Sequence, residues 1–346
     1  MQRGYMAVTL MEIANRAKVS VMAVSAVVNN TRGTRVSQEK REMIERIARE
    51  MGYRSNILAR TLRGGSSRMI GVVIDSHAPA WLHVILRAIE TEATANGYRI
   101  LVSEEHDSVE NVVIAYEKFQ QYGVDGMICL AYDYPGQQEV FTSFFADKNN
   151  VVLVGACIQT SLPQIFIDLE PCYRGSLSHF QHSGRTRIGG VIASVPNSGQ
   201  EIRLELYKKL CTELGIAPLI FNPEFCATTD DYLAEVDRLI TDFVLPQKLN
   251  ALLVHSDVMG AFVISGLARH GLRVPDDVAV ITEDNQAFCA ALQPPMACID
   301  HNEYEIGVQA FQTMLKLLRK ENVTEKILIP CKLILRESAG KIPREI

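Results

Sequence analysis

From residue 69 onward the chain repeats one unit, a short apolar run followed by a helical pattern. "MIGVVI" is followed by a helical pattern over 81–95, "YRILVSEE" by one over 109–121 and "VDGMICL" by one over 136–147, and "NVVLVG" closes the series. A second series runs "IFIDL", 172–183, "RIGGVIA", 200–214, "PLIFNPEF", 230–243, "ALLVHS", 257–270 and "VAVITED". Strands separated by helices pair in parallel, and apolar strands of this kind need cover on both faces. Two series in tandem predict two α/β lobes, which bind ligands at the carboxyl ends of their strands. At 346 residues the chain also has room for a further domain.

The first 68 residues follow another rule. They hold 13 Lys and Arg against five Asp and Glu, a balance of +8, so in a chain of net charge −5 the remainder carries −13. A basic head on an acidic body points to a polyanion-binding module joined to a domain with another task. Thr9-Leu10-Met11-Glu12 has the spacing of a capping box, and Leu10, Ile13, Ala14 and Ala17 recur at helical intervals. Lys18-Val19 breaks that run. Ser20 is placed to cap a second helix, on which Val24, Val27 and Val28 share one face while Val21, Met22, Ser25, Ala26 and Asn29 turn elsewhere. Ser37 caps a third helix with Met43, Ile44, Ile47, Ala48 and Met51 inside, and Gly52 stops it. Three short helices with a tight turn between the first two describe a helix-turn-helix module.

Several function classes recede. No run of about 18 apolar residues exists, which predicts no membrane span, and "MQRGYMAVTLMEIANRAK" lacks the apolar centre of a signal peptide. Cys129, Cys157, Cys172, Cys211, Cys226, Cys289, Cys298 and Cys331 form no CxxC pair and have no histidine at ligand spacing. They are expected to be reduced thiols of a cytoplasmic protein, with no metal site. The sequence has no GxxxxGK[ST], HExxH or GxSxG, and no GxGxxG after the first strand, so catalysis finds no recognisable motif.

The text "VTLMEIANRAKVSVMAVSAVVNN", continued by "RVSQEKREMIERIAREMGYRSNILARTLRGGSSRMIGVVI", resembles the lactose-repressor (LacI/GalR) family of bacterial transcription regulators. Val8-Thr9-Leu10, Ile13-Ala14, Val19-Ser20, Val24-Ser25, Val27, Asn29, Val36-Ser37, Gly52-Tyr53, Asn56, Ala59-Arg60, Leu62 and Ile70-Gly71-Val72 carry the match, which continues more thinly towards residue 338. The resemblance implies DNA contacts from Thr9, Ser20, Val21, Met22, Ala23, Ser25, Ala26, Asn29, Arg32 and Arg35 on the headpiece. It adds Asn56, Ala59, Arg60, Leu62 and Arg63 on a hinge helix at 54–63. Val21 and Met22 stand at the base-reading positions, Ala26 where the family commonly has arginine and Ala23 where it often has threonine. Bidentate readout is therefore missing from these positions, and apolar contact with thymine methyl groups takes its place. Leu62 stands where the family's leucine wedges into the central base step, although Ser55 replaces a frequent proline. Arg3, Arg16 and Lys18 join Arg32, Arg35, Arg60 and Arg63 as phosphate contacts.

For the body, the resemblance implies two lobes like those of periplasmic sugar-binding proteins, with a small effector in the cleft. "ARHGLRVPDDVAVITEDN" (268–285) usually continues in the family to Gly-Tyr-Asp-Asn; here Thr282-Glu283 replace Gly-Tyr, while Asp284-Asn285 are kept. The implied effector set is Asp284, Arg203 in "RLELY", Asp257 in "HSDVMGAFVISGL", Asp168 in "IFIDL", Trp81 in "HAPAW", and Asp75 after the first strand. An aromatic face with carboxylates and an arginine suits a polyhydroxy ligand, a sugar or sugar derivative. On the residues alone, other roles stay open: strand-end caps for Asp168 and Asp257, a surface ion pair for Arg203, a turn for Asp284, core for Trp81.

The expected architecture is an N-terminal all-α helix-turn-helix headpiece (1–53), a hinge helix and linker (54–68), and an α/β periplasmic-binding-protein-like body (69–340) of two doubly wound lobes. The first lobe is expected from 69–163 and 298–325, the second from 164–297 and 326–340. The expected function is a homodimeric, sequence-specific DNA-binding regulator, a repressor that binds pseudo-palindromic double-stranded operator DNA under control of a carbohydrate effector. It is expected to need no cofactor and no membrane, and to be no enzyme. The alternative is a sugar-binding protein or enzyme on the same body with no regulatory role.

Overall fold

The computed structural model describes residues 8–28, 36–53, 66–75, 80–105, 108–130, 136–155, 160–193 and 199–340. The chain divides into two units, Met1–Ser67 and Arg68–Ile346.

The first unit holds α1 (Leu10–Ala17), α2 (Val21–Val28) and α3 (Gln38–Glu50). Each starts where a side chain satisfies an otherwise orphaned amide. The Thr9 N–H donates to Glu12 Oε2 at 2.7 Å and the Glu12 N–H returns to Thr9 Oγ1 at 3.3 Å. Ser20 Oγ accepts from the Ala23 N–H at 3.2 Å, and Ser37 Oγ from the Lys40 N–H at 3.4 Å. Lys18, at φ 51°, takes the left-handed turn that separates α1 from α2. Ile13, Ala14, Ala17, Val24, Val27, Ile44 and Ala48 make the core, with Val28, Met43, Ile47 and Met51 packed at its edge. The valine-rich segment is thus a helix with one buried stripe. Its other side is bare: Met22 is 83% exposed and Val21 41%.

The second unit contains two six-stranded sheets. The first is ordered β11-β5-β4-β3-β1-β2, from β1 (Met69–Asp75), β2 (Arg99–Glu105), β3 (Gly126–Leu130), β4 (Val151–Val154), β5 (Gln164–Asp168) and β11 (Lys326–Pro330). The second is ordered β12-β10-β9-β8-β6-β7, from β6 (Ile188–Val191), β7 (Leu219–Phe221), β8 (Ala251–Val254), β9 (Ala279–Glu283), β10 (Ala297–Asp300) and β12 (Lys332–Ile334). All neighbours pair in parallel except β10 with β12.

Each sheet is covered on both faces, as the continuous apolar strands require. Val72 points to a core shared with α4 (Ala80–Ala95) and α11 (Glu303–Leu318), while its neighbour Val73 points to one shared with α5 (Val109–Gln121) and α6 (Gln138–Phe145). Gly307 of α11 lets that helix close onto α4: a Cβ there would lie 2.4 Å from the Ile85 carbonyl oxygen. The second sheet lies between α7 (Glu170–His182) and α8 (Gly199–Glu213) on one face and α9 (Thr229–Leu239) and α10 (Asp257–Arg269) on the other.

The lobe boundaries differ from the expected ones at three crossovers. β5 and β11 belong to the first sheet, and β10 with its end at Asp300 belongs to the second. The chain changes lobes only after each strand has completed its own sheet, at 168–170, 300–303 and 330–332. An apolar run states that a strand is buried but not which sheet edge it completes, so the sequence displaced each crossover by one strand.

Candidate functional site

In both sheets the order reverses beside the first strand, between β1 and β3 and between β6 and β8. Loops leaving such neighbouring strands diverge to opposite faces and open a crevice at the carboxyl ends. At the second of these points, Ala193 follows β6, Asn222–Cys226 follow β7, and His255 and Ser256 follow β8. With Tyr232 and Met259 they line a pocket of about 420 Å³. A larger cavity, about 930 Å³, lies among α7, Arg185, Pro275-Asp276 and Leu333. It sits at the amino ends of the second sheet's strands and gathers no buried charge cluster, so the smaller pocket is the better site.

Beside the small pocket lies a buried ionic network. Glu283, at the end of β9, is fully buried; its Oε2 accepts from Arg203 Nε at 2.8 Å and its Oε1 accepts the Tyr173 hydroxyl. His301, on the crossover after β10, places Nε2 3.2 Å from Glu283 Oε2 and Nδ1 3.1 Å from Asp284 Oδ1. Those two contacts are close ion pairs without directed hydrogen bonds. Burial by itself would neutralise every member. It raises the Tyr173 hydroxyl well above its usual range, and Glu283 adds to that. For Glu283 the basic neighbours outweigh burial: Arg203, then His255 and His301, hold its carboxyl well below the usual range. For His301 the carboxylates of Asp284 and Glu283 outweigh burial and push the imidazole up to about 10. For His255 burial outweighs the pull of Glu283 and Asp284 and lowers the imidazole.

Of the effector residues named from sequence, Arg203 and Asp284 meet in this network. Asp284 turns the chain after β9 at φ 66°, a left-handed conformation that aspartate tolerates. Asp257 is buried, but its carboxylate accepts the Gln286 N–H at 3.0 Å and so shapes the loop after β9. Asp168 ends β5 in the first sheet, where its carbonyl accepts the Cys331 thiol at 3.0 Å. Trp81 packs half-buried against the first lobe's core. The Asp75 side chain lies outside the described residues.

On the headpiece, Thr9 and Ser20 spend their hydroxyls on caps, and Ala23, Ser25 and Ala26 are half-buried beside exposed Val21 and Met22. Arg16 lies 3.8 Å from Glu50 in an exposed pair. Arg3, Asn29, Arg32, Arg35, Asn56, Ala59, Arg60, Leu62 and Arg63 fall outside the described residues.

A helix-turn-helix unit and a doubly wound two-lobed body on one chain also match known proteins in that order. Residues 9–56 match the model of bacterial regulatory proteins of the lacI family, and residues 177–339 that of a periplasmic binding protein-like domain. The chain is 28% identical over 345 residues to the HTH-type transcriptional repressor CytR of Escherichia coli (strain K12), covering 97% of this chain and 98% of that one. Catabolite control protein A of Priestia megaterium is 27% identical over 343 residues, covering 96% and 99%. The crystal structure of the lac repressor dimer bound to operator and the anti-inducer ONPF superposes with a TM-score of 0.84 at 25% identity, over 96% of this chain and 99% of that one. The chain joins a lacI-family DNA-binding domain to a periplasmic-binding-protein-like body, as its repressor relatives do. It is a DNA-binding regulator of transcription.

Within this body, the residues that sequence reading missed are Glu283, Tyr173, His301 and His255. Glu283 was visible only as a departure from Gly-Tyr, with nothing to pair it to an arginine 80 positions earlier. Among the described residues, Asp284, His301 and Glu303 are the one group whose possible ligand atoms converge within 4.8 Å. His301, held protonated by Asp284 and Glu283, is not the neutral imidazole that a metal ligand must be.

Proposed function

We propose that this LacI-family regulator is a homodimeric repressor of pseudo-palindromic operator DNA, tuned by a small carbohydrate-type effector in the cleft beside β6 and β8. The observation that carries the reading is the pairing, on one chain, of an exposed α2 surface with a pocket at a topological switch point. The headpiece would supply phosphate contacts and read bases, while Leu62 from each hinge would pry open the central step. Effector binding would alter the lobe angle, and through it the two hinges, since one site biases another only through states that differ in both. Relatives of this kind are DNA-binding regulators, so the protein is proposed to act in the cytoplasm and to catalyse no reaction. No helix among the described residues is long and apolar enough to cross a membrane.

Selection of duplexes from a random pool tests the DNA half. The expected product is a palindrome with a deformable central step and T·A pairs opposite Val21 and Met22, whose side chains offer thymine methyl groups an apolar contact. G-rich half-sites read at those two positions would refute it. Leu62→Ala is expected to weaken operator binding by about tenfold or more, the scale of a withdrawn leucine side chain, and to reduce bending. Electrophoretic measurement of both quantities checks this; unchanged affinity removes the wedge.

A further inference from the structure

We propose that the cleft selects an uncharged effector and rejects phosphate- or carboxylate-bearing ones, because Glu283 occupies Arg203 from within the chain. This rests on the effector reading above and narrows it to a chemical class.

An arginine captures an anionic ligand by offering it a desolvated, charge-assisted hydrogen bond. Here that position is filled. Arg203 Nε lies 2.8 Å from Glu283 Oε2, and Glu283 is itself fully buried and holds the Tyr173 hydroxyl on its other oxygen. An incoming phosphate would have to displace a tethered carboxylate that cannot swing into solvent, and would leave that carboxylate unpaired.

The surroundings point the same way. His301 already stands between Glu283 and Asp284, and burial lowers the imidazole of His255 at the pocket wall. Arg238, beneath the rim, is paired with Glu235 at 2.5 Å and lies over the Phe221 ring, 4.4 Å from its centroid. The carboxylate among the lining residues is Glu224, with Asp257 and Asp284 buried behind. An anion entering this pocket meets acids first.

The walls suit a neutral ring instead. Phe225 is 91% exposed, Tyr232 is stacked on Phe262 at 4.8 Å and 11°, and Met259 and Cys226 add to the lining. Asn222 and Ser256 add polar groups for hydroxyls or ring heteroatoms. An apolar pocket with a few placed polar groups is the ordinary design for an uncharged, hydroxyl-bearing ring.

The test uses the full-length protein and sulfate as the anion probe, with chloride at matched ionic strength as control. Thermal unfolding of the wild type is expected to show no saturable response to sulfate. Glu283→Gln, which removes the carboxylate countercharge from Arg203, is expected to gain one: a Tm rise of about 3 °C at tenfold excess over Kd. That gain should vanish in the Arg203→Gln/Glu283→Gln double variant. Saturable sulfate binding by the wild type that disappears in Arg203→Gln overturns the inference, as does a folded Glu283→Gln that ignores sulfate. If Glu283→Gln does not fold in chloride, recovery in sulfate counts as the gain, and without recovery the wild-type arm decides. A parallel assay of operator binding with neutral monosaccharides and nucleosides separates the two readings. Failure of every neutral compound there removes the effector reading and leaves the sulfate result standing.

Discussion

Glu283→Ala is expected to destabilise the body by about 3–5 kcal/mol, the largest loss of any single polar substitution in the described residues. Burying an ion pair gains little over a well-packed apolar pair, but removing one partner leaves the other charged in a low-dielectric setting. Here two cations and one hydroxyl lose their counterpart together: Arg203, with a side chain only 18% exposed, His301, and Tyr173. For a body of this size each kcal/mol moves Tm by roughly 2–4 °C, so a fall of about 6–20 °C is expected in calorimetry. The double variant Arg203→Met/Glu283→Met should recover much of the loss, because charge and countercharge leave together. A Glu283→Ala protein within 1 °C of wild type would show that the network contributes nothing net. The contrast is the exposed cluster of Arg174 with Glu170 and Glu213, at 2.8 and 2.7 Å. Its side chains are about 40% exposed, and opening it should barely move Tm despite equally short contacts, because water screens the charges.

What the sequence made legible follows from the range of the interactions involved. Caps are local, so Thr9, Ser20 and Ser37 named the helix starts correctly, and the three-and-four spacing of Val24, Val27 and Val28 separated core from surface in a segment that composition alone reads as a strand. The alternation of strands and helices is regional, and it foretold two doubly wound sheets. Partnering between distant residues is not local, and there the reading thinned. Nothing in "IFIDL" tells that β5 closes the first sheet, and nothing in "VITEDN" tells that Glu283 will meet Arg203 and Tyr173. Both depend on which elements the crossovers bring side by side. His301 was passed over because a lone histidine in "CIDHN" carries no periodic signal; only its position on the crossover after β10, facing two carboxylates, gives it a role. Arg203 and Asp284 were found through family resemblance. The present partner of Arg203, Glu283, stands where this chain leaves the family's usual pattern.

Stability of the body should pass through a maximum in mildly acidic solution, and His301 sets its alkaline side. An ordinary histidine titrates at 6.5, whereas His301 keeps its proton up to about 10. Its contribution is therefore complete below pH 6.5, where folded and unfolded chains both hold the proton, and is lost as pH climbs towards 10. The groups that face it are Glu283 and Asp284, which favour the proton, and Arg203 and His255, which share the network; Glu303, which burial keeps above its usual range, stands on the adjoining helix. Glu283 works in the opposite sense. Its depressed carboxyl stabilises the fold above its ordinary 4.5, and that contribution disappears as pH falls further. A single proton limits the alkaline slope to about 1.4 kcal/mol per pH unit. Urea unfolding of the wild type at half-unit steps from pH 6.5 to 8.5, below the range where lysines and tyrosines ionise, is expected to show a steady decline. His301→Gln should be less stable at pH 6.5 and nearly level across the same interval, while keeping the acid limb that belongs to Glu283. A wild-type profile as flat as that of the variant would mean that His301 is neutral in the fold, and the two carboxylates would then share Arg203 alone.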